Sequence, residues 1–188
     1  MPKTLNLSVV VVVKNEEEHI EDALISIKSS KPMPSEIIVI DGDSNDRTVE
    51  IAKKYTSKVF VSKNSNLTDD RQIGINKASS NLIAMIDADN RVTENTFTDM
   101  ISDLKKYNLD IVQASIFNPG KNFWGKAETE MLDLIINVPG IKKMIGVAPN
   151  IYKKEIFEHI QFDSNITKTI DDTDFMYRLH KLKKYRLG

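Results

Sequence analysis

Leu7 to Val13 has one polar residue, Ser8, and closes on five consecutive valines. β-Branched side chains are stiff at χ1 and fit a pleated surface better than a helix. A strand with one wet face would alternate apolar and polar residues. This run does not, so it reads as a strand covered on both faces, as in a parallel sheet flanked by helices. The rest of the chain supplies the neighbours. Ile37 to Ile40 and Leu82 to Ile86 are further apolar runs, and Val59 to Val61 and Ile111 to Ala114 are short ones. Helical patterns lie between them. Ile20, Ala23, Leu24 and Ile27 share one helix face, Val49, Ala52 and Tyr55 suggest a second helix, Asp69 to Ala78 a third, and Phe97, Ile101 and Leu104 a fourth. Asn15 with Glu18 three residues on reads as a capping box for the first helix, and Lys31-Pro32-Met33-Pro34 ends it. Strand and helix in alternation imply βαβ units, right-handed crossovers and a mostly parallel sheet. Past Ser115 the rhythm weakens. Gly146 to Tyr152 reads as another strand, and Asp171 to Lys184 as a helix with Phe175, Leu179 and Leu182 along one side. No internal repeat, low-complexity stretch or linker divides the sequence, so one domain is expected.

The 188 residues are enough for one domain with a substantial core. The balance of 26 basic and 27 acidic residues gives no global electrostatic case for a nucleic-acid partner. Cysteine is absent, which excludes disulfides, zinc–thiolate sites and thiol catalysis and fits a reducing compartment. No apolar run approaches the roughly 20 residues that span a bilayer. The single Lys before the valines does not read as a secretory signal, so a cytoplasmic location is expected. The end at Arg186-Leu187-Gly188 lacks an obvious finishing element, which suggests a piece of a longer chain.

The polar residues of interest fall just after the strands. In open parallel sheets ligands bind outside the carboxyl ends of the strands. Lys14 and Asn15 follow the first run, Asp41 and Asp43 the second, and Asp87 and Asp89 the fourth. Asn and Asp also cap helices well, and for Asn15, Asp46 and Asn95 that reading is preferred. For Asp41, Asp87 and Asp89 a site is preferred, because an unpartnered carboxylate at a buried strand tip is costly. A hard divalent cation is one suitable partner, and such a cation bridges carboxylates to phosphate oxygens. Neither Gly-x-Gly-x-x-Gly nor Gly-x-x-x-x-Gly-Lys-Ser/Thr occurs, which counts against a dinucleotide fold and a phosphate-loop NTPase. Downstream, Asp171-Asp172-Thr173-Asp174 reads in two ways. Adjacent carboxylates raise one another's pKa, which suits a general base. Negative charge also favours a helix N-terminus.

These segments, in this order, resemble the family 2 glycosyltransferases. The resemblance rests on Val9 to Glu17, Glu36 to Thr48, Arg71-Gln72-Ile73-Gly74, Asp87-Ala88-Asp89, and Asp171 to Phe175 with Arg178-Leu179, and it covers essentially the whole chain. It implies an α/β fold of the GT-A (Rossmann-like) type, a three-layer sandwich around a mostly parallel central sheet. Residues 1–115 would form the nucleotide-sugar half and residues 116–188 the acceptor side. Val13, Asn15 and Glu17 would line the nucleotide pocket, Asp41 would contact the base, and Arg71 would lie near the diphosphate. Asp87-Ala88-Asp89 matches the Asp-x-Asp motif, with Asp89 the direct ligand of Mg²⁺ or Mn²⁺ and Asp87 nearer the ribose. Asp172 matches the catalytic base. The implied reaction is metal-dependent, inverting transfer from a UDP- or GDP-linked sugar to a hydroxyl of a carbohydrate or lipid-linked acceptor, in polysaccharide, glycolipid or cell-envelope glycan synthesis.

Asp43 departs from the family in standing where many members have glycine, and Asp171 where Glu is commoner. Arg71-Gln72-Ile73-Gly74 replaces the usual Arg-Asn-x-Gly. The Gln-x-x-Arg-Trp motif of processive synthases is missing, which disfavours polymer synthesis through a membrane channel. Phe117 to Gly146 would form the acceptor side, where Phe123-Trp124 reads as a sugar platform or simply as core. Met131, Leu134, Ile135, Val138 and Ile141 are expected to pack inside. Arg178 to Arg186 has five Lys and Arg side chains and no acid, which allows peripheral contact with an anionic membrane. The rival readings are a nucleotidyltransferase, which would release pyrophosphate, and a degenerate domain that keeps the fold without the activity.

Overall fold

The computed structural model describes residues 4–115, 140–142, 145–166 and 171–188, with Asp171 and Asp172 described in backbone only. Phe123-Trp124 and Met131 to Val138 lie outside the described residues. Ile141 is described and is 64 % exposed, against the expectation that it packs inside.

Strand β1, Leu5–Val13, sits at the middle of the sheet and is buried on both sides, as its unbroken apolar run requires. β2 (Pro34–Asp41) and β4 (Leu82–Asp87) flank it, both parallel, and β3 (Val59–Val61) lies outside β2, also parallel. β5 (Ile111–Gln113) and β6 (Asn150–Lys153) complete the order β3-β2-β1-β4-β6-β5. β6 runs antiparallel to both neighbours and is the exception in a mostly parallel sheet.

The period-2 alternation of β1 divides the core in two. Val9, Val11 and Val13 join Ile37, Val39, Ala84 and Ile86 on one face, against α1 (Ile20–Ser29), α2 (Thr48–Ala52) and α4 (Thr96–Lys106). Val10, Ile38, Ile40, Ile83 and Met85 face the other way, against α3 (Leu67–Lys77), a 3₁₀ turn at Lys154–Glu158, and α5 (Asp171–Lys181). The result is helix, sheet, helix in three layers. Each fully buried Val or Ile contributes about 1.5–3 kcal/mol, so the valine run is a large part of what holds the domain together.

Several elements differ from the sequence expectation. α5 ends at Lys181, and Met176 rather than Leu182 shares its buried face with Phe175 and Leu179; Leu182 is 45 % exposed. The expected strand from Gly146 contracts to β6, because Asn150 turns its side chain back to the Gly146 carbonyl (2.6 Å). Helix α3 begins at Leu67, two residues before the predicted Asp69, because Asn66 and Asp69 form a reciprocal capping box. At the far edge Leu187 bridges to Ile111, and Gly188 N–H donates to the Ile111 carbonyl (3.1 Å), so the last described residues extend the sheet beside β5.

Candidate functional site

The carboxyl ends of β1, β2 and β4 open on one cleft of about 470 Å³. Val13, Asp87, Ala88 and Asp89 form part of its wall, together with Gly42 and the first turn of α3. β1 pairs with β2 as far as Val13 against Asp41, and with β4 as far as Val12 against Asp87, which brings these tips level. Gly42 N–H donates to the Val13 carbonyl (2.8 Å) and extends the first pairing by one bond.

The loops after β1 and β2 are laced to one another. Asn15 does not cap α1, whose N-cap is His19 without a side-chain cap. It adopts a left-handed backbone, φ 56°; its N–H donates to Ser44 Oγ (2.8 Å) and its Oδ1 accepts from Asn45 N–H (2.8 Å). Glu16 N–H donates to Thr48 Oγ1 (2.8 Å) and Glu17 N–H to Asp46 Oδ2 (3.1 Å). The Glu17 carboxylate accepts from Arg47 N–H (3.1 Å) and Arg47 Nε (3.2 Å). Asp46 also takes the Thr48 N–H (3.0 Å) at the start of α2, so its expected capping role is combined with holding the opposite loop. Burial pushes the Asp46 carboxyl up, and the bonds from Thr48 and Glu17 outweigh it, leaving the group below its ordinary value. Asn95 occupies the N-cap of α4 but makes no side-chain cap bond.

Asp41 is 0 % exposed. Its Oδ1 accepts from Ser44 N–H (2.9 Å) and its Oδ2 from Ser44 Oγ (2.6 Å), so the carboxylate braces the loop from beneath. Asp43 is exposed at φ 63°, a left-handed conformation that glycine enters without strain and Asp tolerates. Arg71 is 7 % exposed, with its guanidinium 5.8 Å from the centre of the Phe162 ring. Asp87 ends β4 half-buried, and Asp89 stands exposed at the cleft mouth, where its Oδ1 accepts from Asn90 Nδ2 (3.2 Å). Asn90 Oδ1 is buried and meets no partner among the described residues.

The far wall of the cleft escaped the sequence reading. Asn66 Oδ1 accepts from Asp69 N–H (2.9 Å) and fixes the first turn of α3, which carries Asp70 to the wall beside Gly42. The signal was present as Asn66-x-x-Asp69, a weaker variant of the usual capping pattern. The same turn receives the segment that leads to α5. Asn66 Nδ2 donates to the Ser164 carbonyl (2.8 Å) and Thr68 Oγ1 to the Ile166 carbonyl (3.3 Å). Asp172 stands in the first turn of α5, and its side chain lies outside the described residues. Among the described residues no group of three or more His, Asp or Glu side chains gathers to hold a metal, and no helix is long and apolar enough to cross a membrane.

The strand order, with one antiparallel member and an acidic turn after β4, defines a GT-A α/β domain. Residues 8–186 match the profile of Glycosyl transferase family 2, and the chain belongs to that family. The fold is similar to that of the mannosyltransferase PcManGT from Pyrobaculum calidifontis, solved in complex with GDP-Man and Mn²⁺, at TM-score 0.74 and 16 % identity, covering 100 % of this chain and 56 % of that one. It is also similar to residues 1–349 of TarS from S. aureus in complex with UDP-GlcNAc, at TM-score 0.68 and 20 % identity, covering 98 % of this chain and 58 % of that one. In sequence, 120 residues are 30 % identical to a dodecaprenyl-phosphate galacturonate synthase of Rhizobium johnstonii, covering 58 % of this chain and 36 % of that protein. The chain spans between 26 % and 54 % of the length of the first curated relatives it matches.

Proposed function

We propose that this chain is the catalytic domain of a metal-dependent, inverting glycosyltransferase. Its donor is a nucleoside-diphosphate sugar, UDP- or GDP-linked, and its acceptor is a hydroxyl on a carbohydrate or lipid-linked glycan of the cell envelope. The observation that carries the reading is the meeting of Val13, Asp87, Ala88 and Asp89 on one cleft at the binding edge of a GT-A sheet. The relatives point the same way, since two of the similar structures hold UDP-GlcNAc or GDP-Man with Mn²⁺.

The residues present fit a divalent cation. Asp87 and Asp89 bracket one turn, and the neighbouring Asn90 Oδ1 is buried without a partner among the described residues, so the local donors are all hard oxygens. Asp89, with Asp87 behind it, would hold Mg²⁺ or Mn²⁺, which when bound neutralises diphosphate charge as a Lewis acid. The protein's own part is positioning and proton transfer. The laced loops around Asn15, Glu17 and Asp41 hold the nucleotide side of the cleft, and Arg71 lies in the helix turn behind it. Asp172 takes the acceptor's hydroxyl proton as that oxygen bonds to the anomeric carbon. The bond from that carbon to the diphosphate oxygen breaks, and the nucleoside diphosphate leaves with inversion. The placement of Asp172 is supported by Ile166, which is bonded to Thr68 beside the cleft wall; five residues of chain then reach Asp171, at most about 18 Å. The five Lys and Arg side chains from Arg178 to Arg186 favour work at the cytoplasmic face of a membrane.

Titration calorimetry with UDP and GDP, with and without Mn²⁺, tests the reading. Wild-type protein should bind at least one of them only with the metal, and Asp89→Ala should lose that binding. Asp172→Asn should keep donor binding and lose transfer by about 10²–10⁴-fold, the usual worth of a general base. Metal-independent binding in both proteins, or wild-type turnover in Asp172→Asn, would overturn the assignment.

A further inference from the structure

Asp70 is an acid that neither the motifs nor the proposed chemistry uses. It is 4 % exposed, it lines the cleft, and its Oδ2 lies 3.0 Å from the position a Cβ on Gly42 would take. A carboxylate offers about four lone-pair sites. Among the described residues the donor to this side chain is the Ser65 hydroxyl, 2.6 Å from Oδ1. Oδ2 has no protein donor among the described residues and lies on the cleft, so it is left to water or to a ligand, and a ligand that displaces the water must bring an N–H or O–H. Among the described residues it does not gather with Asp87 and Asp89 into a metal-binding group of three acids.

The sheet says which part of a ligand reaches it. Gly42 follows β2, Asp87 ends β4, and β1 lies between them. Two strand spacings, about 9–10 Å, separate the ends of β2 and β4, and Asp70 stands on the β2 side beside Gly42. If the diphosphate lies on the Asp87–Asp89 side, as the nucleotide-sugar reading holds, the base falls on the Gly42–Asp70 side. A carboxylate there repels phosphate and accepts from a base. Asp41, the sequence candidate for that contact, is 0 % exposed with both oxygens engaged by Ser44. We propose that Asp70 reads the donor's base by accepting its ring N–H. Uracil presents such a donor at N3, and guanine at N1 with an amine beside it. Cytosine and adenine present an unprotonated ring nitrogen there, which a carboxylate opposes. The inference rests on the nucleotide-sugar reading and gives it a specificity-determining residue.

The test is binding of UDP, GDP, CDP and ADP, each with Mn²⁺, by wild type, Asp70→Asn and Ser65→Ala, with thermal melting to confirm folding. Asn can offer an N–H to cytosine or adenine. The expected result is that wild type prefers UDP or GDP over CDP and ADP, and that Asp70→Asn reduces this preference at least tenfold. Ser65→Ala keeps the carboxylate but loosens it, and should reduce the preference by a smaller factor. If Asp70→Asn does not fold, Ser65→Ala decides alone, and an unchanged preference overturns the proposal. A parallel loss for all four nucleotides would make Asp70 structural and overturn it too, while leaving the nucleotide-sugar reading intact. Failure of wild type to bind any of the four would instead bring down that reading, and the inference with it.

Discussion

Replacing Gly74 with alanine sets two local terms against each other. Alanine in a helix interior is favoured over glycine by about 1 kcal/mol. Against that, a Cβ on Gly74 would lie 2.3 Å from Val10 Cγ1 and 3.3 Å from Ile40 Cγ1. Carbon–carbon contacts settle near 3.5–4.0 Å, so roughly 1 Å has to be found. Val10 is 1 % exposed on the central strand, between β2 and β4, and its branched side chain has little freedom. Helix α3 must therefore back away from the sheet. Overpacking costs about 1–3 kcal/mol, and a gap this short belongs at the upper end. The packing term wins, and the net loss is about 2 kcal/mol. Urea unfolding followed by circular dichroism should show a lower midpoint with an unchanged slope. The displacement also carries Asp70 and Arg71, one turn upstream, away from the strand tips, so nucleotide binding should weaken as well. Val10→Ala removes the obstructing methyl. In the double variant the two changes should couple favourably by at least about 1 kcal/mol. A Gly74→Ala protein as stable as wild type, or a cycle with no coupling, would refute the close-approach reasoning.

Glu36 supplies a pH prediction. Burial pushes its carboxyl up, but the bonds from Lys58, Ser8 and Ser79 outweigh it and bring it from 4.5 to about 2. A depressed folded value stabilises the fold above the unfolded pKa, and the contribution fades as pH falls from about 4.5 through about 2. Glu36→Gln should cost on the order of 1–2 kcal/mol at pH 7, discounted for solvent screening, and flatten acid unfolding across that window. Ser44→Ala removes the hydroxyl from the buried Asp41 carboxylate and the acceptor of Asn15 N–H. It should destabilise by about 2–3 kcal/mol in denaturant, since a lost hydrogen bond to a buried charge dominates. Asp41→Asn combined with Ser44→Ala should cost less than the sum of the two.

Where a signal was local, it was legible. The valine run marked β1 as a strand covered on both faces, because an edge or one-sided strand would not carry an unbroken apolar run, and β1 does lie inside the sheet between β2 and β4. The acids after β2 and β4 stood out because a charge beside a buried strand needs a reason. What escaped depended on distant partners. β6 enters between β4 and β5, and its antiparallel sense follows from long-range pairing of Asn150 to Lys153 with Leu82 to Met85, which no local periodicity encodes. Asn15 looked like a cap because Glu18 follows it, but Ser44 and Asn45, some thirty residues on, compete for its polar groups and win. Asp70 was invisible as a site residue because a first-turn helix acid is common on any surface; only burial beside Gly42 sets it apart.

The cross-bonds between the β1 and β2 exits have a thermodynamic corollary. A guest arriving at that rim meets a contour already decided by Asn15, Glu17, Ser44 and Asp46, so little chain entropy is surrendered on docking. The heat-capacity change on this side of the cleft should then be modest, matching the surface the guest covers and carrying no signature of a loop folding around it.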